Sequence, residues 1–556
     1  MLQSSHLQAS AARLTEINIS PTWRQPPNTH DARPDRTCSR RAVKPTDKIP
    51  LCALACATLL LAACNVLGPH YKRPDIPAPT GWSVDTTQTP DESAAAAQAT
   101  EAIATTRAGP PPKPSSPNPP PPPVTTATTV TAWPSADWWK GFGSSQLNDL
   151  ISQAQKANDD IGSAIARVRQ ADAQVLIAGS PLLPAVSVGF DASRQQAKSS
   201  VLAAPGTKPI HYNQFSAQAS ASYELDFWGK NQALLNAARY TAKASRYDRA
   251  TVELTVMTSV ATTYFQALEL RDRLDVAERD LTTAQTILKD LTFEETVGTA
   301  NALDVAQQAT TVAVINASIP PLRQQLRQSL DALAVLTGKM PQDLAAPEGT
   351  LKDLAEPEVG PGLPSELLVR RPDVAQAEAQ LIAANANIQA ARAAFFPSID
   401  LTASGGFVSS ALAGLISPAN KVFSLAGSVT QDIFKPGTLV GGYRLTQAQY
   451  DELLSDYHKT VISAFSNVED ALVASQQTAE QYRRQQDAVA KARRAYEITE
   501  IQLHAGTVNV LTVLNTQTAL FSAEDALVQV RFAHLQALVQ LFNALGGGWQ
   551  QTAAQS

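Results

Sequence analysis

The sequence is poor in the residues that build disulfides, metal sites and hydrolytic centres. Only four of its 556 residues are cysteines, and all four lie at or before position 64. The long remainder of the chain can therefore form neither a disulfide nor a cysteine-ligated metal site. Its few histidines are scattered without ligand or triad spacing, and it contains no nucleophile elbow. These absences argue against an enzyme, and the sequence predicts no cofactor and no metal.

Charge is scarce as well. Asp, Glu, Lys and Arg make up 17% of the chain, the net charge is −5, and the body of the chain has no basic block. This balance argues against nucleic acid as a partner. No phosphate-binding Gly-x-x-x-x-Gly-Lys-Ser/Thr motif occurs, so any active process must draw its energy from a partner.

One short apolar run lies near the N-terminus. Residues 49–60 follow several basic residues, are too few to span a bilayer, and lead into Leu-Ala-Ala-Cys at 61–64. This order is typical of a secretion signal and resembles the lipobox of bacterial lipoproteins, in which Cys64 becomes the lipidated first residue. The alternative is a chance cysteine in a buried helix. We expect 1–63 to be an N-terminal extension with a lipoprotein signal peptide, and 64–82 to be a lipid-anchored N-terminus.

Residues 83–133 are of low complexity. Alanine, threonine and glutamine dominate the first part, and proline tracts follow at 110–112 and 119–123. This composition cannot bury a core and favours an extended polyproline spacer. We therefore expect a disordered linker over 83–133.

A helical pattern follows the linker and occurs twice. Apolar residues advance by threes and fours, as in the seams of coiled-coil helices. The segment 229–297 has no proline, and as one helix it would be on the order of 100 Å long. The pair Pro320-Pro321 should break or kink the following helix. The predicted parts are two repeats of helix, β-hairpin, long helix, turn and helix at 134–350 and 351–550, and a C-terminal tail at 551–556.

Short stretches with the opposite period interrupt the helices. Within 212–226, aromatic and small apolar residues alternate with polar residues, which is typical of a strand with one apolar face. A similar alternation covers 423–433, and weaker candidates precede each at 185–192 and 398–407. We expect four strands per chain in two hairpins, with aromatic residues gathered near the strand ends.

A sheet of four strands cannot stand alone in lipid, because its edge N–H and C=O groups stay unsatisfied. Closure takes at least about eight strands. Three copies would supply twelve strands and close the wall. The apolar face would then turn outward, and Ser, Gln, Thr and Asp would line the lumen.

Several motifs in combination give the chain a family resemblance. They are the lipobox, the duplicated helix–hairpin–helix pattern, Arg370-Arg371-Pro372-Asp373, Ala391-Arg392-Ala393-Ala394-Phe395-Phe396-Pro397 and Leu545-Gly546-Gly547-Gly548-Trp549. With these the chain resembles the TolC-like outer-membrane efflux family, and most closely its NodT-type lipoprotein subgroup, over roughly 65–82 and 134–550.

The resemblance implies a fold and a set of partners. The fold is mainly α with a small transmembrane β part: a long coiled-coil helical barrel plus four β-strands per chain, closing as a 12-stranded β-barrel in a homotrimer. The implied localisation is the outer membrane, with a lipid anchor and a periplasmic helical domain. The implied partners are outer-membrane lipid, a periplasmic adaptor (membrane fusion protein) and an inner-membrane pump of the resistance–nodulation–division type.

The tips of the two helix–turn–helix units are the candidate docking sites. Each places a glycine where a long helix must reverse its direction. In the family these tips face the adaptor, so the resemblance implies docking through Val297, Gly298, Thr299, Gly506 and Thr507. The alternative is that both glycines only cap helices.

Polar residues about one turn past each tip are the candidate gate. Asp304 follows the first tip, and Asn509, Thr512 and Asn515 follow the second. In a trimer a single Asp becomes a ring of three carboxylates, which attracts cations. Related proteins often carry acidic residues near the second tip, where this chain has Asn and Thr. The alternative for Asp304 is a plain charge on the helix surface.

We interpret the chain as the outer-membrane component of a tripartite efflux system, a passive trimeric duct for drugs or toxic small molecules. Two other functions stay open: a lipid-anchored periplasmic coiled-coil adaptor, and an outer-membrane channel for one-component protein secretion. The stretch 212–226 separates channel from adaptor, because it faces lipid in a channel and is half-buried in a soluble adaptor.

Overall fold

The computed structural model describes residues 71–74, 79, 82, 133–197, 210–360, 362, 364–435 and 437–550. The α-helices in these residues are α1 Ser145–Ala157, α2 Asp159–Gly179, α3 Lys230–Thr296, α4 Ala302–Leu336, α5 Pro364–Arg370, α6 Pro372–Ala393, α7 Thr438–His504 and α8 Val510–Ala544. The strands are β1 Ala185–Ala197, β2 Ile210–Glu224, β3 Ser398–Ser409 and β4 Lys421–Thr430. None of the described helices combines the length and hydropathy that a membrane span requires.

Two pairs of helices have equal lengths. Helices α3 and α7 each contain 67 residues, and α4 and α8 each contain 35. At 1.5 Å per residue the longer pair extends on the order of 100 Å. The single long helix predicted over 229–297 is thus confirmed. In both halves of the chain a hairpin is followed by a long helix, a tight turn and a shorter helix.

Helix α4 runs without interruption through Pro320 and Pro321, so the break expected at this pair is wrong. Proline removes an amide donor and crowds the preceding turn, which disfavours a helix interior. The adjacent Ile319 and Leu322 are nevertheless buried against Leu274 of α3. Packing of this apolar face stabilises the helix more than the local preference opposes it.

The four strands form one antiparallel sheet in the order β1-β2-β3-β4. Each predicted strand is present, and β1 continues beyond the predicted end at 192. The two hairpins are joined by pairing of β2 with β3, from Phe215 opposite Ser409 to Glu224 opposite Asp400. Within the described residues, β1 and β4 have no strand on their outer sides. A single chain therefore presents two open sheet edges.

The largest core cluster lies where the two repeats meet. Trp138 stacks on Phe542 of α8 with ring centroids 5.1 Å apart, and Phe142 contacts Phe265 of α3 at 5.0 Å. A second buried cluster around Tyr457 joins α6 and α7 to the end of α8. Burial of each large apolar side chain contributes about 1.5–3 kcal/mol. These clusters fix the two repeats against each other.

Candidate functional site

The strand register sorts the side chains of the sheet into two faces, because directly opposed residues of an antiparallel pair lie on the same face. Most of the large apolar residues share one face: Val186, Val188, Phe190, Phe215, Tyr223, Ile399, Leu401, Phe407, Phe423, Leu425 and Val429. Tyr212, Val408 and Val422, near the end remote from the helices, lie on the other. Polar residues share the other: Ser187, Asp191, Ser216, Gln218, Ser220, Ser222, Glu224, Asp400, Thr402, Ser404, Ser424, Ser428 and Thr430. The alternation predicted within single strands is therefore continuous across all four.

The apolar face is exposed in the single chain. Val188, Phe423 and Leu425 are 83%, 85% and 81% exposed. Among the described strand residues, the charged members of this face are Arg194 and Lys421, at the end of the sheet remote from the helices. A band without charge lies between them and the helices. An apolar patch of this extent marks a surface that contacts lipid or another chain.

The polar face carries carboxylates and, among the described strand residues, no Lys or Arg. Glu224 and Asp400 stand directly opposite each other at the end next to the helices. Like charges in such a pair destabilise a sheet, and Lys230, whose Nζ lies 3.0 Å from Glu224 Oε1, offsets part of this repulsion. Sequence reasoning missed this pair because its two members belong to different hairpins.

Aromatic rings cover the end of the sheet next to the helices. Trp228 stacks on Phe396 with ring centroids 4.7 Å apart and contacts Phe227 at 5.0 Å. Its Nε1–H donates to the carbonyl oxygen of Pro397 at 2.8 Å. Rings with one apolar side and one polar atom are favoured at membrane–water interfaces. The structure thus brings together aromatics that the sequence placed near strand ends.

The two tips are built from the same turn. Gly298 at the first tip has φ 81°, and Thr299 N–H donates to the carbonyl oxygen of Glu294 at 2.9 Å. Gly506 at the second tip has φ 70°, and Thr507 N–H donates to the carbonyl five residues earlier at 3.0 Å. These are Schellman caps, in which glycine supplies the left-handed conformation. Both glycines therefore end a 67-residue helix.

All five candidate docking residues lie at the surface of these turns. Val297 is 59% exposed, and Gly298, Thr299, Gly506 and Thr507 are exposed as well. A Cβ atom added at either glycine would meet no other atom within 4 Å. The tips are thus capped from within and open to contact from outside.

The four gate candidates lie in or next to the first turns of α4 and α8. Asn509 caps α8, and its Oδ1 accepts from Thr512 N and Oγ1 at 3.1 Å and 2.7 Å. Asp304 occupies the position of Thr512 in α4 and donates its N–H to Asn301 Oδ1 at 3.0 Å. Asn515 is exposed one turn further along α8. Sequence reasoning missed the cap at Asn509, although the shared Gly-Thr-x-Asn pattern of both tips is its signal.

Polar contacts join α3 of the first repeat to α8 of the second above the tips. Arg273 Nε donates to Asp525 Oδ1 at 2.7 Å. Nearer the tips, Gln517 Nε2 donates to Asp280 Oδ1 at 3.3 Å. Burial raises the pKa of Asp280 to about 6, and the charge of Glu524 adds to this rise. The sequence did not predict these contacts, because they link helices from different repeats.

The lipidation candidate Cys64 lies outside the described residues, and its modification stays a prediction. The described residues that follow it contact the second repeat, where Arg73 Nη2 lies 3.1 Å from Glu378 Oε2 of α6. Among the described residues, no group of three or more His, Cys, Asp or Glu is placed to hold a metal ion.

Long paired helices that carry a sheet with one exposed apolar face and one polar face define a channel subunit of a membrane. The chain belongs to the outer membrane efflux protein family. The model of that family matches residues 150–339 and 363–547. The family consists of outer-membrane channels and not of enzymes.

Curated relatives and solved structures agree on this family. The chain is 43% identical over 417 residues to the pyoverdine export outer membrane protein OpmQ of Pseudomonas aeruginosa, covering 74% of this chain and 87% of OpmQ. It is 32% identical over 509 residues to the probable efflux pump outer membrane protein TtgC of Pseudomonas putida, covering 91% and 97%. The Campylobacter jejuni CmeC outer membrane channel matches with a TM-score of 0.71 at 25% identity, covering 79% of this chain and 95% of CmeC. The open-state Neisseria gonorrhoeae MtrE channel matches with 0.73 at 26%, covering 87% and 98%.

The predicted fold class is confirmed by these likenesses and by the helices and four-stranded sheet of the chain. The chain is an outer-membrane channel component of an efflux system.

Proposed function

We propose that the chain is a passive homotrimeric duct, lipid-anchored through Cys64, that carries small molecules from a periplasmic adaptor and an inner-membrane pump to the exterior. Proteins of the family form trimeric channels with partners of these kinds. The observation that carries the proposal is the two-faced sheet with an open edge on each side.

The open edges make a single chain an incomplete unit. Each unpaired N–H or C=O group in lipid costs several kcal/mol, and four strands are too few to close a wall. Pairing β1 of one copy with β4 of the next satisfies both edges, and three copies close twelve strands. The apolar face then meets lipid, and the polar face lines the lumen. Glu224 and Asp400 of each copy form a ring of carboxylates at the periplasmic mouth.

The tips are proposed to dock the adaptor. Two observations support this docking proposal. The space around Gly298 and Gly506 is open, and each repeat presents the same exposed turn. A partner that binds one tip can therefore bind the other with the same chemistry, in a ring of six tips for three chains.

The gate is proposed at the same end of the helices. Three copies of Asp304 would form a ring of carboxylates. Asn509 and Thr512 bond to each other, so they act by fixing the start of α8. Asn515 is the second-tip candidate whose side chain lies exposed beyond that cap.

Names of relatives point to two substrate groups. Relatives 43% and 39% identical are named pyoverdine export proteins, and others are named for toluene or antibiotic efflux. We propose a small organic export substrate and take a pyoverdine-like siderophore as the first candidate to test.

Deletion of the gene tests the pathway. Secretion of the siderophore should fall, or susceptibility to antibiotics, dyes or solvents should rise, and the intact gene should restore both. Unchanged secretion and susceptibility throughout would contradict efflux.

Conductance tests the duct itself. Purified trimers in planar bilayers should give steps of uniform size, and disrupting both tips should increase the open fraction. If neither the natural protein nor the tip variant conducts ions, the chain is not a duct. If it is also monomeric and soluble without its acyl chains, the adaptor interpretation is favoured instead.

A further inference from the structure

Four helices stand side by side and follow the order of the strands. Helix α2 packs on α3, α3 packs on α6, and α6 packs on α7. Along the chain, α2 precedes β1, α3 follows β2, α6 precedes β3 and α7 follows β4. Within the described residues, α2 and α7 are therefore the outer members of the row, as β1 and β4 are of the sheet. The open edges of a single chain continue from the sheet into the helices.

One side of α2 is covered by its neighbour, and the other side is free. Ala164 is fully buried on the covered side, and Ala171 and Ala178 follow it at a spacing of seven residues. At 3.6 residues per turn the opposite side carries Gly162, Ala166, Arg169, Ala173 and Leu176, all of them exposed. The apolar side chain of Leu176 is 78% exposed. We call this side the free face of α2.

The first turns of α7 have the same construction. Tyr443, Tyr450 and Tyr457 recur every seven residues on the covered side, where the Tyr443 hydroxyl accepts from Arg392 Nη2 of α6 at 3.0 Å. The free face of α7 lies opposite and carries Gly441, Leu445, Ala448, Glu452 and Ser455, all of them exposed. A Cβ atom at Gly441 would meet no other atom within 4 Å. Glycine is disfavoured within a helix, and no contact among the described residues explains it here.

The two free faces match in height and in size. Leu176 lies three residues before the end of α2, and Gly441 lies three residues after the start of α7. Both helix ends adjoin the same edge of the sheet, so both residues are about 5 Å below it at 1.5 Å per residue. A large side chain on α2 thus stands level with a residue that has none on α7. One turn further from the sheet the sizes are reversed, with Ala173 on α2 and Leu445 on α7.

The two free faces also match in charge. Arg169 lies about 15 Å from the sheet end of α2, and Glu452 lies about 21 Å from that of α7. Two extended side chains of these types bridge such a difference. Among the described residues, neither of the two forms an ion pair. A cation on one open edge therefore has a matching anion on the other.

We infer that the free face of α2 in one copy packs against the free face of α7 in the next copy, in a helical seam that continues the pairing of β1 with β4. Leu176 fills the space over Gly441, and Arg169 pairs with Glu452. The inference rests on the proposed homotrimer. A second copy is the occupant because its opposite edge supplies the matching large, small and charged residues beside an open strand edge.

Disulfide cross-linking in the outer membrane tests the helical seam in the full chain. Two cysteines join only when their Cα atoms lie within about 7 Å of each other. Leu176→Cys combined with Gly441→Cys or Leu445→Cys should give covalent trimers on denaturing gels. Leu176→Cys with Gln447→Cys is the matched control and should give none, because Gln447 is exposed but lies beside Tyr443 on the covered side. Equal product from the control pair, or none from either free-face pair, would overturn the seam.

Enlarging Gly441 distinguishes a packed seam from an open surface by the sign of the effect. On an open helix surface leucine is more favourable than glycine, so Gly441→Leu would leave the trimers as heat-stable as before or more so. In the seam the new side chain meets Leu176, so trimers should dissociate at a lower temperature on gels. Adding Leu176→Ala should restore them by making room. Trimers of undiminished heat stability in Gly441→Leu would contradict the seam.

Exchange of the two charges tests the ion pair without changing the size of the seam. Arg169→Glu and Glu452→Arg should each lower the dissociation temperature of trimers by a few degrees, and the double variant should recover it. A double variant that shows the sum of both losses would overturn the pair.

The strand edges report on the trimer independently of the helices. Cysteines at Val188 of β1 and Leu425 of β4 should link neighbouring copies whether or not the helical seam forms. Cross-linked strands without cross-linked helices would overturn the seam alone and leave the duct standing. Monomers in every variant would overturn the proposed trimer, and the seam with it.

Discussion

At the scale of single residues, Asp280 places an ionisable carboxyl group between the two repeats. Its carboxyl is half-buried beside Gln517, and this burial raises its pKa from 3.8 to about 6. Well below pH 3.8 both the folded and the unfolded chain hold the proton, and the carboxyl does not oppose folding. Between pH 4 and 6 the unfolded chain loses its proton first, so the free energy of unfolding falls as pH rises. Above pH 6 the penalty is complete, on the order of 2–3 kcal/mol.

Replacing this carboxyl by an amide should remove the penalty. Asp280→Asn keeps an oxygen for Gln517, so its melting temperature should exceed that of the natural protein by several degrees at pH 7.5, and the difference should be much smaller at pH 4. Thermal unfolding of detergent-solubilised trimers between pH 4 and 8 measures this. Asp290→Asn on the exposed side of α3 is the control and should show no such dependence. A pH-independent difference for Asp280→Asn would contradict a raised pKa.

At the scale of elements, the sheet offers a matched pair of neighbours on one strand. Leu425 lies on the apolar face near the middle of β4, and Ser424 lies on the polar face. Lysine on a lipid-facing site near the midplane costs about 2–4 kcal/mol. Leu425→Lys should therefore reduce the yield of trimers in the outer membrane, whereas Ser424→Lys should keep trimers and shift conductance toward anions. Trimer bands on unheated gels and bilayer recordings measure these effects. Equal tolerance of both lysines would argue against a lipid-facing side.

The tips provide a second experiment on elements. Gly298 and Gly506 have φ values of 81° and 70°, and proline, fixed near −65°, cannot adopt them. Gly298→Pro or Gly506→Pro should rebuild a tip, leaving trimers intact and lowering export and cross-linking to the adaptor. The alanine variants are the controls, since they meet no neighbour and cost only about 1–2 kcal/mol of local strain. Normal export by both proline variants would exclude a docking role for the tips.

Element types and lengths were largely predictable, because they depend on local period. Apolar residues three and four positions apart in 229–297 predicted α3, and the alternation of apolar and polar residues in 212–226 predicted β2. Proline at 320 and 321 misled, because its local penalty is smaller than the burial of the adjacent side chains against α3. Local rules fail where contacts from a distant element decide.

For the whole molecule, trimer closure predicts which cysteines can be joined between copies. The chain has no cysteine after Cys64, so no native cysteine in the rest of the chain competes with an introduced pair for disulfide formation. Val188→Cys of β1 should form disulfides with cysteines at odd-numbered positions of β4, such as Leu425→Cys, because these share the apolar face. Even-numbered positions such as Ser424 should not react. Denaturing gels should show covalent trimers at one register, and products that stop at dimers would contradict a ring of three.

The sequence by itself determined what the described parts are: two hairpins with one apolar side and two long helices that reverse at glycine. Periodicity and turn chemistry depend only on neighbouring residues, so they can be recognised without knowledge of the tertiary structure. Only the tertiary structure decided what the parts face. Glu224 meets Asp400, Asp280 meets Gln517, and Trp82 and Trp133 both lie against Gly362. These juxtapositions depend on how distant segments pack, which no local pattern encodes.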